Sequence, residues 1–190
     1  MTTLYLVALL PPEPVFSQIS AFKQEVHELT GSRNAIRLPP HITLVPPLRQ
    51  PDEFEAKCTA ALAGFVATQT SFPVALQDFA WFGSRTLFVR PTEDAALKAF
   101  HAALMSWCET HLPEVQPENR PFTPHLTLAT RDLPAAQIPA LRQLFGGRAY
   151  AATFMAQSLT LFRHNGQQWQ PRATFELNSA TDSSSFPAES

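Results

Sequence analysis

Pro40-His41-Ile42-Thr43-Leu44 and Pro124-His125-Leu126-Thr127-Leu128 are two near copies of one pentapeptide, one in each half of a 190-residue chain. Four of the five positions are identical and the fifth exchanges Ile for Leu. A single His-x-Thr recurs by accident. Two copies that use two of only six histidines are hard to obtain that way.

Each copy is apolar enough to be a strand, and successive strand side chains alternate faces. His41 and Thr43 then share one face while Ile42 and Leu44 share the other; His125 and Thr127 stand against Leu126 and Leu128 in the same way. Each strand offers an imidazole and a hydroxyl on one side and anchors itself in a core on the other. If the halves pack about a pseudo-twofold axis, the two His/Thr pairs converge on one cleft.

Imidazole titrates near neutrality, so one ring can act as a base while its partner acts as an acid. Threonine hydroxyls can donate to the non-bridging oxygens of a phosphate. This set suits in-line displacement at phosphorus. The competing reading is two buried strands whose histidines are ordinary core or surface groups. A zinc site needs three or four ligands, and no third His, Cys or carboxylate stands at metal-type spacing, so neither metal nor cofactor is expected.

Outward from the motifs, Thr3 to Leu10 reads as a buried strand stopped by Pro11-Pro12. Val15, Ile19, Phe22, Val26 and Leu29 mark one helix face, ended at Gly31. His41 to Val45 is a strand closed by Pro46-Pro47. A second helix follows Pro51-Asp52, with Phe54, Cys58, Leu62 and Phe65 inward. Strands are expected at Ser71 to Ala80 and Arg85 to Arg90, and a helix from about Glu93 to His111.

The second half repeats the theme, with a strand from His125 to Ala129 and a helix from Pro134 to about Phe145. Strands follow at Ala149 to Met155, Leu159 to Arg163 and Trp169 to Leu177, the last two joined through Asn165-Gly166, a hairpin signal. Irregular alternation of this kind favours α+β with antiparallel or mixed sheets. Residues 1–177 are expected to form one bilobal domain, and 178–190, Ser-rich and weakly apolar, a disordered tail.

The formal charge of −2 argues against a protein that wraps long double-stranded nucleic acid, which needs surplus cations. A nucleotide or an RNA end remains open. Of the 14 basic residues only Lys23, Lys57 and Lys98 are Lys, and Arg is the better match to phosphate geometry, although composition alone can explain that usage. Cys58 and Cys108 read as buried thiols rather than a disulfide. No basic-then-apolar signal opens the chain and no apolar run is long enough for a membrane span. A cytoplasmic monomer without membrane partners is the expectation.

The paired motifs, the second preceded by Phe122-Thr123, resemble those of the 2H phosphoesterase superfamily. Within it, the chain resembles the 2′-5′ RNA ligase and RNA 2′,3′-cyclic phosphodiesterase group. The proline-flanked first motif, His41-Ile42-Thr43-Leu44-Val45-Pro46-Pro47, resembles a smaller ligase-like branch of that group. The resemblance implies a bilobal α+β fold of two pseudo-symmetric antiparallel or mixed sheets, with outer helices around a central cleft. It implies catalytic His41 and His125, phosphate-binding Thr43 and Thr127, and no metal. Implied substrates are 2′,3′-cyclic phosphates, cyclic nucleotides and 2′-5′ linkages. By analogy with relatives that open cyclic phosphates, His125 would be the base and His41 the acid, although symmetry permits the reverse.

Relatives often carry an Arg five positions after the second His. Here that position is Thr130, followed by Arg131, and a one-residue shift on a strand reverses the face. Phe82, and less so Trp81 or Phe122, could stack on a base, although core packing is the commoner use of such rings. Tyr5 could line the cleft or cap the core. Two further readings stay open: a nucleotide-binding module with little chemistry, and a structural protein with incidental motifs.

Overall fold

The structure is a computed structural model that describes residues 2–92 and 95–179. Among the described residues eight strands and four helices form, close to the positions that the apolar spacing predicts. They follow the order β1 (Thr2–Leu9), α1 (Val15–Thr30), β2 (Ile42–Pro51), α2 (Phe54–Val66), β3 (Phe72–Phe82), β4 (Thr86–Thr92) and α3 (Ala95–His111). Then come β5 (Leu126–Ala129), α4 (Ile138–Gly146), β6 (Ala151–Ala156), β7 (Ser158–His164) and β8 (Trp169–Glu176). Pro134 is extended and cannot begin an α-helix directly, so one 3-10 turn at Ala135–Gln137 leads into α4.

The strands form one eight-stranded sheet in the order β6-β3-β4-β5-β2-β1-β7-β8, antiparallel at every pairing. The two expected sheets are its two halves. Each half has four strands, and they join through β2 and β5 at one residue pair, Ile42 opposite Leu126. The motif strands therefore lie side by side at the middle of the sheet. Ile42, Leu44, Leu126 and Leu128 are all buried in the main core, each worth about 2 kcal/mol.

Three expectations change. Strand β2 does not stop at Pro46-Pro47 but runs to Pro51, with a bulge where Tyr5 pairs Leu48 and Val7 pairs Val45. Beyond Ile42 its second edge has no pairing with β5, so the missing proline N–H groups cost little there. On α1 the inward stripe is Val15, Ile19, Lys23, Val26 and Thr30, while Leu29 is 50% exposed. The helix is rotated from its most apolar face because it packs on β5 and β6, and the rotation carries Lys23 inward. Tyr5 is 0% exposed and packs on Phe54 in the core, while Leu4 and Leu6, of opposite parity, line the cleft.

Asn178, expected in the tail, is tied down by a bridge to Thr70, and its side chain donates to the Ala67 carbonyl at 2.9 Å. Residues 180–190 of the expected tail, and Glu93 at the start of the third expected helix, lie outside the described residues. Cys58 and Cys108 are both free and buried. Among the described residues no helix is long and apolar enough to cross a membrane.

Candidate active site

His41 and His125 each sit one residue before their strand begins, where the chain emerges from a proline-rich turn. The two rings are held alike. His41 Nδ1–H donates to the Pro39 carbonyl at 2.7 Å, and His125 Nδ1–H donates to the Thr123 carbonyl at 2.8 Å. A carbonyl can only accept, so each bond fixes the proton on Nδ1 and leaves Nε2 for chemistry. Both partners lie two residues upstream, so this device is duplicated along with the motif.

The Ile42–Leu126 pairing sets what meets what. Regular antiparallel geometry around this one pair would bring His41 to Thr127 and Thr43 to His125, and the cavity linings agree: His41 and Thr127 line one cavity, Thr43 and His125 the other. In that geometry the two rings are diagonal neighbours, with Cβ atoms somewhat closer than ~7–8 Å. Each histidine therefore faces the threonine of the other motif. All four side chains are partly exposed, while Ile42, Leu44, Leu126 and Leu128 between them are buried, as the alternation predicts.

The two rings differ in surroundings. Burial pushes the His41 pKa down to about 4; the Lys23 ammonium and the His125 ring lower it further, against the opposing Pro39 hydrogen bond. Lys23 is 4% exposed, and burial lowers its own pKa to about 8. Its Nζ donates to the Thr127 backbone carbonyl at 3.2 Å, one bond for an ammonium that can make three. It lines a cavity of about 380 Å³ together with His41, Thr43 and Thr127. No pattern in the sequence marked this lysine, because a charge on the edge of an amphipathic stripe reads as a solvated group.

His125 opens on a second cavity of about 350 Å³ that shares Thr43 and Pro47 with the first. Phe82 is 39% exposed, stacks on Phe88 with ring centroids 4.1 Å apart, and meets the His125 ring edge-on at 5.0 Å. Phe122 stacks on His101 at 3.8 Å, almost parallel. His101 lacks a His-x-Thr context and falls within the third expected helix, so nothing in the sequence singles it out; the structure places it in the wall of this cavity.

Arg131 escapes the strand-parity argument. Strand β5 ends at Ala129, and Arg131 itself has φ of 66°, so its side chain lines the His41 cavity. The next residue ties the two motif approaches together. Asp132 Oδ1 accepts from Ser32 Oγ at 2.5 Å, and its Oδ2 accepts from the amides of Arg33 and Asn34 at 2.9 and 3.1 Å. Burial works against the charged form, but these bonds outweigh it and hold the carboxyl below its usual range. Asp132→Ala is expected to cost about 1 kcal/mol after allowing for exposure, measurable by urea unfolding. This stabilisation is complete above the unfolded carboxylate pKa and disappears as pH falls through the lower folded value.

Among the described residues, no three His, Cys, Asp or Glu side chains converge to hold a metal ion.

A family model described as the 2′-5′ RNA ligase superfamily matches residues 11–168. The fold matches the crystal structure of TT0787 from Thermus thermophilus with a TM-score of 0.67 at 20% identity, covering 93% of this chain and 98% of that one. It matches E. coli LigT complexed with 3′-AMP with a TM-score of 0.65 at 18% identity, covering 93% and 99%. No curated protein matches significantly in sequence.

Proposed function

Because the chain belongs to the 2′-5′ RNA ligase superfamily, a family of 2H phosphoesterases, we propose that it hydrolyses a 2′,3′-cyclic phosphate or a 2′-5′ phosphodiester on a nucleotide or RNA end. The reading rests on one observation: two imidazoles, each pinned through Nδ1, flank a gap edged by the threonine of the opposite motif.

The unequal electrostatics support a division of labour opposite to the one the family resemblance suggests. His41 is neutral at physiological pH in the free protein, so its Nε2 acts as the base. It takes a proton from water as the water oxygen attacks phosphorus. His125 then serves as the acid and gives its Nε2 proton to the departing ribose oxygen. The water–hydrogen bond and the phosphorus–ester bond break, a new phosphorus–oxygen bond forms, and the product is a phosphomonoester with a free hydroxyl. Thr43 and Thr127 donate to the non-bridging oxygens. The Lys23 charge behind Thr127 favours the developing anion and also keeps His41 deprotonated.

The test is incubation with 2′,3′-cyclic nucleotides and 2′-5′ dinucleotides in the presence of a chelator, followed by phosphorus NMR. New phosphomonoester signals are expected. Nucleotide binding without turnover of either class would return the protein to the binding-module reading.

The pH profile tests the role assignment. A base must be deprotonated, so activity is lost as pH falls through its pKa. The acid limb of kcat/KM is expected near pH 4 rather than near the 6.5 of an ordinary histidine. An acid limb between pH 6 and 7, with chemistry rate-limiting, would restore the opposite assignment.

A further inference from the structure

The two motif histidines are held by the same hydrogen bond, but the carbonyls that hold them are not equally fixed. Before His41 the accepting residue is Pro39, and Pro40 follows it. The Pro39 ring locks φ of the accepting residue, and the Pro40 ring keeps its ψ in the extended range. Before His125 the accepting residue is Thr123, followed by Pro124. Its ψ is restricted in the same way, but nothing covalent locks its φ. The second copy of the device therefore has one backbone rotation that the first copy lacks.

Local structure does not stop that rotation. Residues 112–125 belong to no helix or strand, and between Val115 and Pro124 every residue is exposed except Phe122. The side-chain bonds of this stretch, from Gln116 to the Pro113 carbonyl and from Thr123 to the Pro121 carbonyl, are short-range. Phe122 is what ties it to the rest of the fold. Its ring lies flat on the His101 ring, with centroids 3.8 Å apart and planes 4° from parallel. His101 is itself held, because it belongs to α3 and its Nε2–H donates to the Leu44 carbonyl at 3.1 Å. Leu44 is the last residue of the first motif. One imidazole thus joins α3, the first motif strand and the segment whose next carbonyl orients His125. Phe82 and Phe88 meet the His125 ring at 5.0 and 5.6 Å and limit its tilt, but neither carries a polar atom that could select a tautomer.

On the premise of the function above, in which His125 gives its Nε2 proton to the leaving oxygen, we propose that His101 is a positioning residue for His125. Through its stack on Phe122 it holds the Thr123 carbonyl in place to accept from His125 Nδ1–H, which aims Nε2 into the cleft. What the Pro39 ring does by covalent geometry for His41, a stacked pair does by packing for His125. The pair needs an aromatic ring at 101 for the stack, and the Leu44 hydrogen bond sets the plane of that ring. His101 acts through its neighbours and takes no part in the proton transfers.

The test is long-range proton–nitrogen NMR of the imidazole nitrogens in the ligand-free protein, at about pH 8.5 where histidines are neutral. In the unaltered protein both motif histidines are expected as single Nδ1–H tautomers. In His101→Ala the His125 ring is expected to become a mixture of tautomers while His41, held by Pro39, stays as it was. His41 serves as the internal control against general damage to the fold. In turnover, His101→Ala is expected to lower kcat by about 10-fold to 10²-fold with KM nearly unchanged, as a displaced catalytic group does. Most of that loss should disappear on a diester whose leaving group needs no proton. His101→Phe keeps the stack and is expected to retain the single His125 tautomer and most of kcat. An unchanged His125 tautomer in His101→Ala, equal disturbance of His41 and His125, or a His101→Phe protein no better than His101→Ala would each overturn the proposal. So would a raised KM at unchanged kcat, which would set His101 against the substrate itself. Because the NMR readout needs no substrate, a protein that turns over no diester can still pass, and an active one whose His125 ignores His101 fails this inference alone.

Discussion

Replacing His41 or His125 by Ala is expected to lower kcat/KM by ~10²–10⁴, and the double variant is expected to fall little further. Each ring supplies one proton transfer in the same displacement, so losing either leaves the other without a partner. The variants separate when the leaving group is changed. An activated p-nitrophenyl phosphodiester releases an anion that needs no proton, so it relieves the need for an acid but not for a base. His125→Ala is expected to recover most of its activity on that substrate and His41→Ala to recover little. The opposite pattern would make His41 the acid, and its low pKa would then have to be reversed by bound phosphate. Unchanged turnover in the double variant would remove the histidines from catalysis altogether.

Lys23→Met is expected to make the protein more stable and less active. The folded pKa of about 8 lies below that of a free lysine, so between about 8 and 10.5 the unfolded chain binds more protons and stability rises with pH. Below pH 8 the amine is charged in both states and the native fold bears the whole cost of burying it, about 3 kcal/mol. Methionine fills a similar volume without a charge, so urea unfolding at pH 7 is expected to show a gain approaching that size. The gain should vanish above about pH 10.5. Activity is expected to fall by ~10-fold or more, because a charge near the phosphate is lost. The acid limb should move upward, since Lys23 depresses His41. Lys23→Arg would retain charge without fitting the same depth. A Lys23→Met protein of unchanged activity and pH profile would reduce the lysine to a destabilising packing residue.

The gain and the loss have one origin. A buried ammonium with a single hydrogen bond is a poor structural element. Its position against the carbonyl of a motif threonine gives it a use that a stability-optimised core would lack.

The order of residues was enough to reveal the repeat and the side-chain parity within it. That His41 and Thr43 share a face follows from the two-residue period of a strand, and the structure keeps it. Helix and strand positions were legible for the same reason, since apolar spacing is a local property. For Tyr5 the local period fixes only that it opposes Leu4 and Leu6; the folded chain decides that those two line the cleft and Tyr5 the core.

Everything that depends on two distant segments at once had to wait for the folded chain. The Ile42–Leu126 register decides that each histidine faces the other motif's threonine, and no local period encodes a register between strands from opposite halves of the chain. The rotation of α1 on β5 decides that Lys23, rather than Leu29, points inward. The meeting of α3 with the segment before β5 makes His101 a wall of the cleft by stacking it on Phe122. Local sequence sets which way a side chain faces on its own element; long-range packing sets what it meets, and electrostatics at this site belong to the second kind.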